Sequence, residues 1–206
     1  MIVIVDYGMG NLGSILNMLK KIGAPARISA DRAEIAAGDK LVLPGVGAFD
    51  TAMRHLAESG LRDVLDELVL RRKVPTIGLC LGMQLLTEGS EEGSLPGLGW
   101  IAGSTKKFRF SESDEATLKV PHMGWNTVRP ALDKTLAQGL YDPSRFYFVH
   151  SYHVDLKDPS DAAGYTHYGY EFVSMVQKGH IMGTQFHPEK SHKFGMKLLR
   201  GFAEMP

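Results

Sequence analysis

Short unbroken apolar runs recur along the first ninety residues, and each is followed by a segment with helical spacing of apolar positions. Such runs show no polar alternation, which is typical of central strands in a parallel sheet, where both faces are covered. The predicted strands of this half are Ile2–Val5, Ala26–Ile28, Leu41–Leu43 and Thr76–Leu79.

The segments between these strands predict helices. Asn11 is a candidate N-cap, and Gly23 is a candidate stop, for a first helix. Its apolar face comprises Leu12, Ile15, Leu16, Leu19 and Ile22. A second helix is predicted over Phe49–Glu58, and a third has the apolar face Leu61, Val64, Leu65 and Leu68. This alternation of strand and helix predicts a doubly wound, flavodoxin-like and mostly parallel sheet.

The second half has a different pattern, with short strand candidates that are interrupted by Gly, Pro and Asp. They lie at 95–110, 123–128, 146–154, 165–170 and 173–177, and a final strand is predicted separately over 180–186. We expect an antiparallel extension of the sheet here. Ser111–Glu115 is predicted to be a polar loop, and Ser191 is predicted to cap a last helix. No linker is long enough to separate domains, so residues 1–206 are expected to form one domain.

Composition excludes several classes of protein. Hydrophobic residues make up 44% of the chain and charged residues 22%, as in ordinary globular proteins. Lys plus Arg equals Asp plus Glu at 23 each, so no excess charge favours nucleic acid or an anionic membrane. No apolar run approaches the roughly 18 residues of a membrane helix, and Met1–Asp6 lacks a basic signal-peptide start. The single cysteine excludes an internal disulfide and is consistent with a reducing cytoplasm.

That cysteine, Cys80, lies where the predicted strand Thr76–Leu79 gives way to helical spacing. Gly78 and Gly82 flank it two residues away on either side, as in the nucleophile elbow, where a strained residue stands exposed above the sheet. The positive end of the following helix favours a thiolate. We therefore predict that Cys80 is a nucleophile rather than a small core residue.

A candidate base follows the last predicted strand, in His187–Pro188–Glu189. In an extended segment His187 and Glu189 project to the same side, and the proline between them stiffens the pair. An imidazole can take the thiol proton and return it to a leaving amine, while a carboxylate behind it holds its tautomer. Cys80, His187 and Glu189 are thus the predicted catalytic triad.

Pro44–Gly45–Val46–Gly47 ends a neighbouring parallel strand, at the edge where open α/β sheets bind ligands. Its glycines leave backbone N–H groups unshielded. We predict that the N–H groups of Val46 and Leu81 donate to an oxyanion beside Cys80. Glycines on both sides of Val46 also suggest that its peptide unit rotates inward only in the active state.

Gly8–Gly13 contains a literal G-x-G-x-x-G after a strand, and Asp31 follows near the spacing of a ribose-binding residue. This leaves open a dinucleotide site, although Asp6 would put a carboxylate near the phosphates. The alternative is a tight strand-to-helix turn or a contact surface. The eight histidines include no metal-ligand spacing, and His150 with His153 is only a fragment of one, so neither metal nor cofactor is expected.

These motifs together resemble the class I (triad) glutamine amidotransferases. The resemblance covers essentially the whole chain and is carried by 78–84, 44–47 and 186–189. Three further segments, 7–12, 121–126 and 147–152, together with 188–191, resemble the glutaminase subunits of imidazole glycerol phosphate synthase. Of these, Pro121–Asn126 is the most specific.

The resemblance implies a function in histidine biosynthesis. Cys80 would attack glutamine, and the released ammonia would pass to a (β/α)₈-barrel cyclase subunit in a heterodimer. There it would yield imidazole glycerol phosphate and an aminoimidazole carboxamide ribonucleotide. The implied glutamine pocket comprises Gly47, Gln84, Glu92, Ser151 and Tyr152, and the implied partner interface comprises Asn11, Trp125, Tyr147 and Lys190.

Two other functions remain compatible with the residues themselves. A free-standing cysteine hydrolase would use the same elbow without a partner. A nucleotide-binding oxidoreductase would use the Gly8–Gly13 loop, and NAD titration would detect it.

Overall fold

A computed structural model describes residues 1–206 and contains an eleven-stranded sheet whose first half is parallel. Five parallel strands lie side by side in the order β2-β1-β3-β4-β11, which is the flavodoxin-like order. Their bounds are Ile2–Val5 (β1), Ala26–Ser29 (β2), Lys40–Leu43 (β3), Thr76–Leu79 (β4) and Ile181–Thr184 (β11). The predicted fold class is confirmed.

The second half of the chain adds the predicted antiparallel extension, in which β10 pairs with β11 and continues to β9, β6 and β7. β8 lies outside this order of strands and pairs with β10 and β5. The strands are Gly103–Lys107 (β5), His122–Pro130 (β6), Ser144–His150 (β7), Tyr152–Leu156 (β8), Ala162–Tyr168 (β9) and Tyr170–Lys178 (β10).

The strand predicted over 146–154 is two strands, which Ser151 separates. The reason is that the chain changes partners at this residue: β7 pairs with β6, whereas β8 pairs with β5 and β10. Of the candidate strand at 95–110, only Gly103–Lys107 (β5) forms a strand, because only these residues pair with a partner strand.

Seven helices cover the sheet. They are Leu12–Lys21 (α1), Arg32–Ala36 (α2), Phe49–Glu58 (α3), Leu61–Asp66 (α4, which runs into a π-helical turn at Glu67–Arg71), Leu81–Leu85 (α5), Glu112–Glu115 (α6) and His192–Glu204 (α7). Asn11 caps α1 as predicted, because its side chain accepts a hydrogen bond from the Ser14 N–H at 3.3 Å. None of the helices has the length and apolar character needed to cross a membrane.

Both faces of the parallel half are buried, which explains its unbroken apolar runs. In β1 the side chains of Val3 and Val5 enter one core cluster, and those of Ile2 and Ile4 enter the other. All four residues are at most 4% exposed. Because successive residues of a strand point to opposite faces, a strand covered on both sides needs apolar residues at every position.

Two local predictions were wrong. The segment predicted as a polar loop contains helix α6, and Ser111 caps it by accepting from the Asp114 N–H at 3.3 Å. Ser191 precedes α7 but makes no capping bond. Its hydroxyl instead donates to the His187 carbonyl at 2.6 Å and accepts from the Tyr147 N–H at 3.0 Å. Ser191 therefore joins β7 to the segment that carries the candidate base.

Candidate active site

Cys80 lies between the last residue of β4 and the first residue of α5, as the elbow pattern predicts. Its φ of 53° and ψ of −110° put a non-glycine residue in a strained conformation of the kind that is found at functional sites. The flanking glycines are required by close packing. A Cβ on Gly78 would lie 2.5 Å from the Gly82 carbonyl oxygen, and one on Gly82 would lie 1.9 Å from the Leu43 carbonyl oxygen.

Cys80 is only 7% exposed, so the expectation that it stands exposed above the sheet was wrong. The residue is buried and its sulfur has two polar neighbours. Its sulfur lies 3.9 Å from the Val149 carbonyl oxygen, to which a thiol can donate. The Gln185 side-chain amide donates to the same sulfur at 3.8 Å. The sulfur is therefore placed between one acceptor and one donor.

His187 and Glu189 form a buried pair just after β11. The distance from His187 Nδ1 to Glu189 Oε1 is 2.8 Å, and both side chains are 3% exposed. Burial disfavours the imidazolium, but the interactions of His187 with Cys80 and Glu189 outweigh burial and raise the pKa of His187 to about 10. Glu189 occupies Nδ1, so Nε2, which has no hydrogen-bond partner, is the ring nitrogen left to serve Cys80.

A cavity of about 280 Å³ opens at Cys80. All five residues predicted for the pocket line it, as do both predicted oxyanion residues: Gly47, Gln84, Glu92, Ser151, Tyr152, Val46 and Leu81. Pro121, Val149 and His150 also line the cavity and were not predicted as pocket residues, although each lies within a segment that carries the resemblance.

A larger cavity of about 460 Å³ lies at the opposite edge of the sheet, where Met1, Pro25 and Lys40 are among its lining residues. That edge carries the amino ends of the parallel strands, whereas ligands of open α/β sheets bind at the carboxyl ends. The smaller cavity is therefore the candidate active site.

Two of the lining side chains are held by specific contacts. Glu92 Oε2 accepts from the N–H of Phe49, the first residue of α3, at 3.0 Å. The Gln84 amide nitrogen donates to the Tyr152 carbonyl and to Gln185 Oε1, both at 3.1 Å. The second oxygen of Glu92 and the amide oxygen of Gln84 make no hydrogen bond within the chain, so both remain available to a ligand.

The loop Pro44–Gly47 packs closely against the elbow. A Cβ on Gly45 would lie 2.7 Å from the Gly82 nitrogen, so this glycine is needed for close approach. Gly47 has a φ of +118°, which favours glycine, and Val46 is 49% exposed. Leu81 is the first residue of α5, so its N–H has no acceptor inside the helix. Two backbone segments with available N–H groups thus border the cavity.

The Gly8–Gly13 segment supports this loop instead of forming a separate phosphate site. Tyr7, just before it, is buried and donates its hydroxyl hydrogen to the Pro44 carbonyl. A Cβ on Gly10 would lie 3.0 Å from Pro44 Cβ. Asp31, the proposed ribose ligand, caps α2 by accepting from the Glu34 N–H at 2.9 Å. The dinucleotide alternative thereby loses its acidic residue, and the structure favours a tight turn and contact surface.

Three of the four residues predicted for a partner interface lie together. Trp125 of β6 is paired with Tyr147 of β7, and their rings are 6.3 Å apart. Lys190 Nζ lies 5.9 Å from the centre of the Tyr147 ring. Trp125 and Met123 are 41% and 62% exposed, so β6 presents large apolar side chains to solvent. Asn11 caps α1, a helix that contacts the 3₁₀ turn carrying Lys190.

Comparisons with known proteins agree with this geometry. A family model described as glutamine amidotransferase class-I matches residues 3–205. The chain is 51% identical, over the full length of both chains, to imidazole glycerol phosphate synthase subunit HisH 2 of Pseudomonas aeruginosa. It is 52% identical to the protein of the same description from Methanococcus maripaludis, over 98% of both chains.

Solved structures with low sequence identity have the same fold. A crystal structure of a glutamine amidotransferase superposes with a TM-score of 0.74 at 19% identity, covering 98% of this chain and 97% of that chain. The structure of PurLQS from Thermotoga maritima superposes with a TM-score of 0.72 at 15% identity, covering 98% and 96% of the two chains.

Proposed function

Because this chain belongs to the class-I glutamine amidotransferase family, we propose that Cys80, His187 and Glu189 hydrolyse glutamine within an imidazole glycerol phosphate synthase. The observation that carries this proposal is that the strained Cys80 lines the same cavity as His187, which is paired with the buried Glu189 side chain. The pathway we propose is histidine biosynthesis, which the description of the relatives as imidazole glycerol phosphate synthase subunits supports.

The first half of the reaction forms a thioester. The Cys80 sulfur attacks the carbon of the glutamine side-chain amide, and the carbonyl oxygen becomes an oxyanion. The N–H groups of Leu81 and Val46 are the donors available to that oxygen. His187, whose raised pKa lets it hold the thiol proton as an imidazolium, delivers that proton from Nε2 to the nitrogen as the C–N bond breaks. Ammonia leaves.

The second half releases glutamate. A water molecule attacks the thioester, His187 accepts its proton, and the C–S bond breaks to restore Cys80. Glu189 keeps the imidazole in the tautomer with the proton on Nδ1 and stabilises the imidazolium, through the 2.8 Å contact. No metal or cofactor is required for either half.

The cavity fits the two ends of glutamine. The Glu92 carboxylate is suited to the α-ammonium group, since its second oxygen remains unpaired while Phe49 holds the first. The amide nitrogen of Gln84 donates to Tyr152 and Gln185, which holds the amide in one orientation. The amide oxygen makes no hydrogen bond within the chain and is free to accept one. Gly47, Ser151 and Tyr152 are among the residues that form the other walls.

The relatives are described as subunits, and this chain is likewise a subunit of a complex. We propose that its partner is a (β/α)₈-barrel cyclase, which receives the ammonia and binds the face formed by Trp125, Tyr147 and Lys190, with Asn11 at its border. The exposed apolar residues of β6 support this assignment, because large exposed apolar surfaces mark interaction sites. The free thiol at the site is consistent with the reducing cytoplasm.

The test uses the chain in complex with a barrel cyclase. A glutamine-mimicking diazoketone should label Cys80, and glutamine should protect it. Cys80→Ala should abolish synthesis with glutamine but preserve synthesis with ammonium salts, because the thiol serves only to release ammonia. Retention of glutamine hydrolysis in this variant would refute the assignment. Glutaminase activity that the cyclase leaves unchanged would instead favour a free-standing hydrolase.

A further inference from the structure

A continuous set of hydrogen bonds begins at β6 and runs inward toward the cavity. Asn126 Nδ2 donates to the His167 carbonyl at 2.9 Å and lies 3.2 Å from His122 Nε2. His122 Nδ1 lies 3.0 Å from His150 Nε2. His150 Nδ1 in turn lies 2.7 Å from the Tyr152 carbonyl oxygen.

The Tyr152 carbonyl, at the end of the set nearest Cys80, determines which atom donates and which accepts in each of these hydrogen bonds. A carbonyl oxygen only accepts, so His150 carries its proton on Nδ1 and accepts at Nε2. His122 must then donate from Nδ1 and accept at Nε2 from the Asn126 amide. Both imidazoles are neutral in this arrangement. Burial lowers the pKa of His122 to about 4 and holds the pKa of His150 well below its ordinary value, which agrees with neutral rings.

Two glutamines extend the set from Tyr152 to Cys80. The Tyr152 carbonyl also accepts from the Gln84 amide, whose nitrogen donates in addition to Gln185 Oε1. With its oxygen occupied in this way, the Gln185 amide turns its nitrogen toward the Cys80 sulfur, at 3.8 Å. A flipped Gln84 would put its oxygen against two acceptors, so neither amide can rotate without losing hydrogen bonds in a buried site.

We propose that Gln185 is a positioning residue for Cys80 and that Gln84 fixes the direction of its amide. The set from Asn126 to His150 holds in place the Tyr152 carbonyl to which Gln84 donates. An N–H aimed at the sulfur stabilises the thiolate and holds the side chain in one orientation. The other titratable groups that face the sulfur are His187, with Glu189 behind it, and Tyr7. The inference rests on the proposed role of Cys80 as nucleophile.

The first test compares two buried glutamines. Gln185→Met removes the donor and keeps a side chain of similar length. Gln177→Met is the matched control, because Gln177 is also buried and hydrogen-bonded, but to the Leu136 N–H, Thr135 and the Gly179 carbonyl. The readout is the rate at which iodoacetamide alkylates the single cysteine between pH 6 and 9.

Loss of a hydrogen bond to a charged sulfur lowers the thiolate fraction roughly tenfold or more. Because a more basic thiolate also attacks faster, with a Brønsted slope of about 0.4–0.5, alkylation should slow roughly threefold or more. We expect this slowing of alkylation in Gln185→Met at pH 7, with the midpoint of its pH profile moved upward. Gln177→Met should keep the parent profile. An unchanged rate and midpoint in Gln185→Met would overturn the proposal.

The second test changes Asn126, at the end of the set farthest from Cys80, and so avoids a substitution at a fully buried residue. Asn126 is half-buried, so Asn126→Asp is expected to fold. Its carboxylate cannot donate to His122 Nε2 and draws a proton there instead. Long-range ¹H–¹⁵N NMR spectra should show both parent histidines neutral with the proton on Nδ1. The variant should show a proton on His122 Nε2 and alkylation slowed several-fold.

An Nε2–H tautomer for either histidine in the parent, or unchanged alkylation in Asn126→Asp, would refute the role of the set. Both readouts use the chain alone, without glutamine or a partner. Their failure would therefore leave the proposed function intact, whereas failure of the Cys80→Ala experiment would not affect them.

Discussion

The His187–Glu189 pair allows a quantitative prediction for Glu189→Gln. Glutamine keeps the shape of the side chain and can still accept from His187 Nδ1, but it removes a negative charge that lies 2.8 Å from the imidazole. Both side chains are almost fully buried, so solvent does not screen the interaction. The substitution therefore changes mainly the electrostatic environment of His187.

The magnitude follows from the pKa of His187, which is raised from 6.5 to about 10. A rise of that size corresponds to about 5 kcal/mol of stability linked to protonation of His187. Because the folded-state pKa is the higher one, this stability is fully present below pH 6.5 and is lost as the pH rises toward 10. An opposite charge at short range accounts for roughly 1–3 pKa units, so loss of Glu189 should remove about 1.5–4 kcal/mol of the effect.

The assay is urea unfolding of the parent and Glu189→Gln between pH 6 and 10. The parent should lose more stability than the variant as the pH rises, and His187 in the variant should titrate at a lower pKa by NMR. Glu171→Gln is the control, since it removes an equally charged carboxylate from the exposed Arg129–Glu171 pair. If the parent and Glu189→Gln lose stability equally over this range, Glu189 does not stabilise the His187 imidazolium.

The remaining predictions concern the activity of the complex and the support of His187. Val46→Pro removes a predicted oxyanion donor worth roughly 10²–10³ in rate, so activation by the cyclase should disappear. Cys80 should still react with iodoacetamide. Activation equal to the parent's would exclude the rotating amide. His187→Ala should lower glutamine turnover by orders of magnitude, and Glu189→Gln should lower it by less. Fully multiplicative losses in the double variant would argue against one shared site. Ser191→Ala removes the acceptor of the half-buried Tyr147 N–H, which should cost about 1 kcal/mol or more. At about 2–4 °C per kcal/mol, a clear fall in Tm is expected, and an unchanged Tm would mean that water replaces the hydroxyl.

The features that the sequence predicted well are those with strong local causes. β1 and β4 are buried on both faces, so their apolar runs mark them without any knowledge of their neighbours. The Cys80 elbow is equally local, because steric crowding by Gly82 and Leu43 imposes its two glycines. The elbow and the short His187–Glu189 spacing also led to the candidate triad, whose catalytic role stays a prediction. The expectation of an extended segment at His187–Glu189 was wrong, because a 3₁₀ turn at Pro188–Lys190 brings the two side chains together.

The features that were missed depend on contacts between distant parts of the chain. Ser191 has the residue type and position of a helix cap, but Tyr147, which is 44 residues away, provides its partner. Asp31 has the spacing of a ribose ligand, but it caps a helix too short to show a periodic apolar face. Gln185 lies 105 residues from Cys80, and only the folded sheet brings its amide to the sulfur.

β7 has consequences for how this enzyme can change in evolution or in the laboratory. Its residue Tyr147 presents a ring at the proposed interface, while its backbone accepts from the His187 N–H at 2.9 Å and donates to Ser191. A one-residue slip would turn that ring to the other face of the sheet and break both backbone bonds at once. Insertions between β6 and β7 should therefore be tolerated, whereas an insertion or deletion within β7 should eliminate docking and glutamine hydrolysis together.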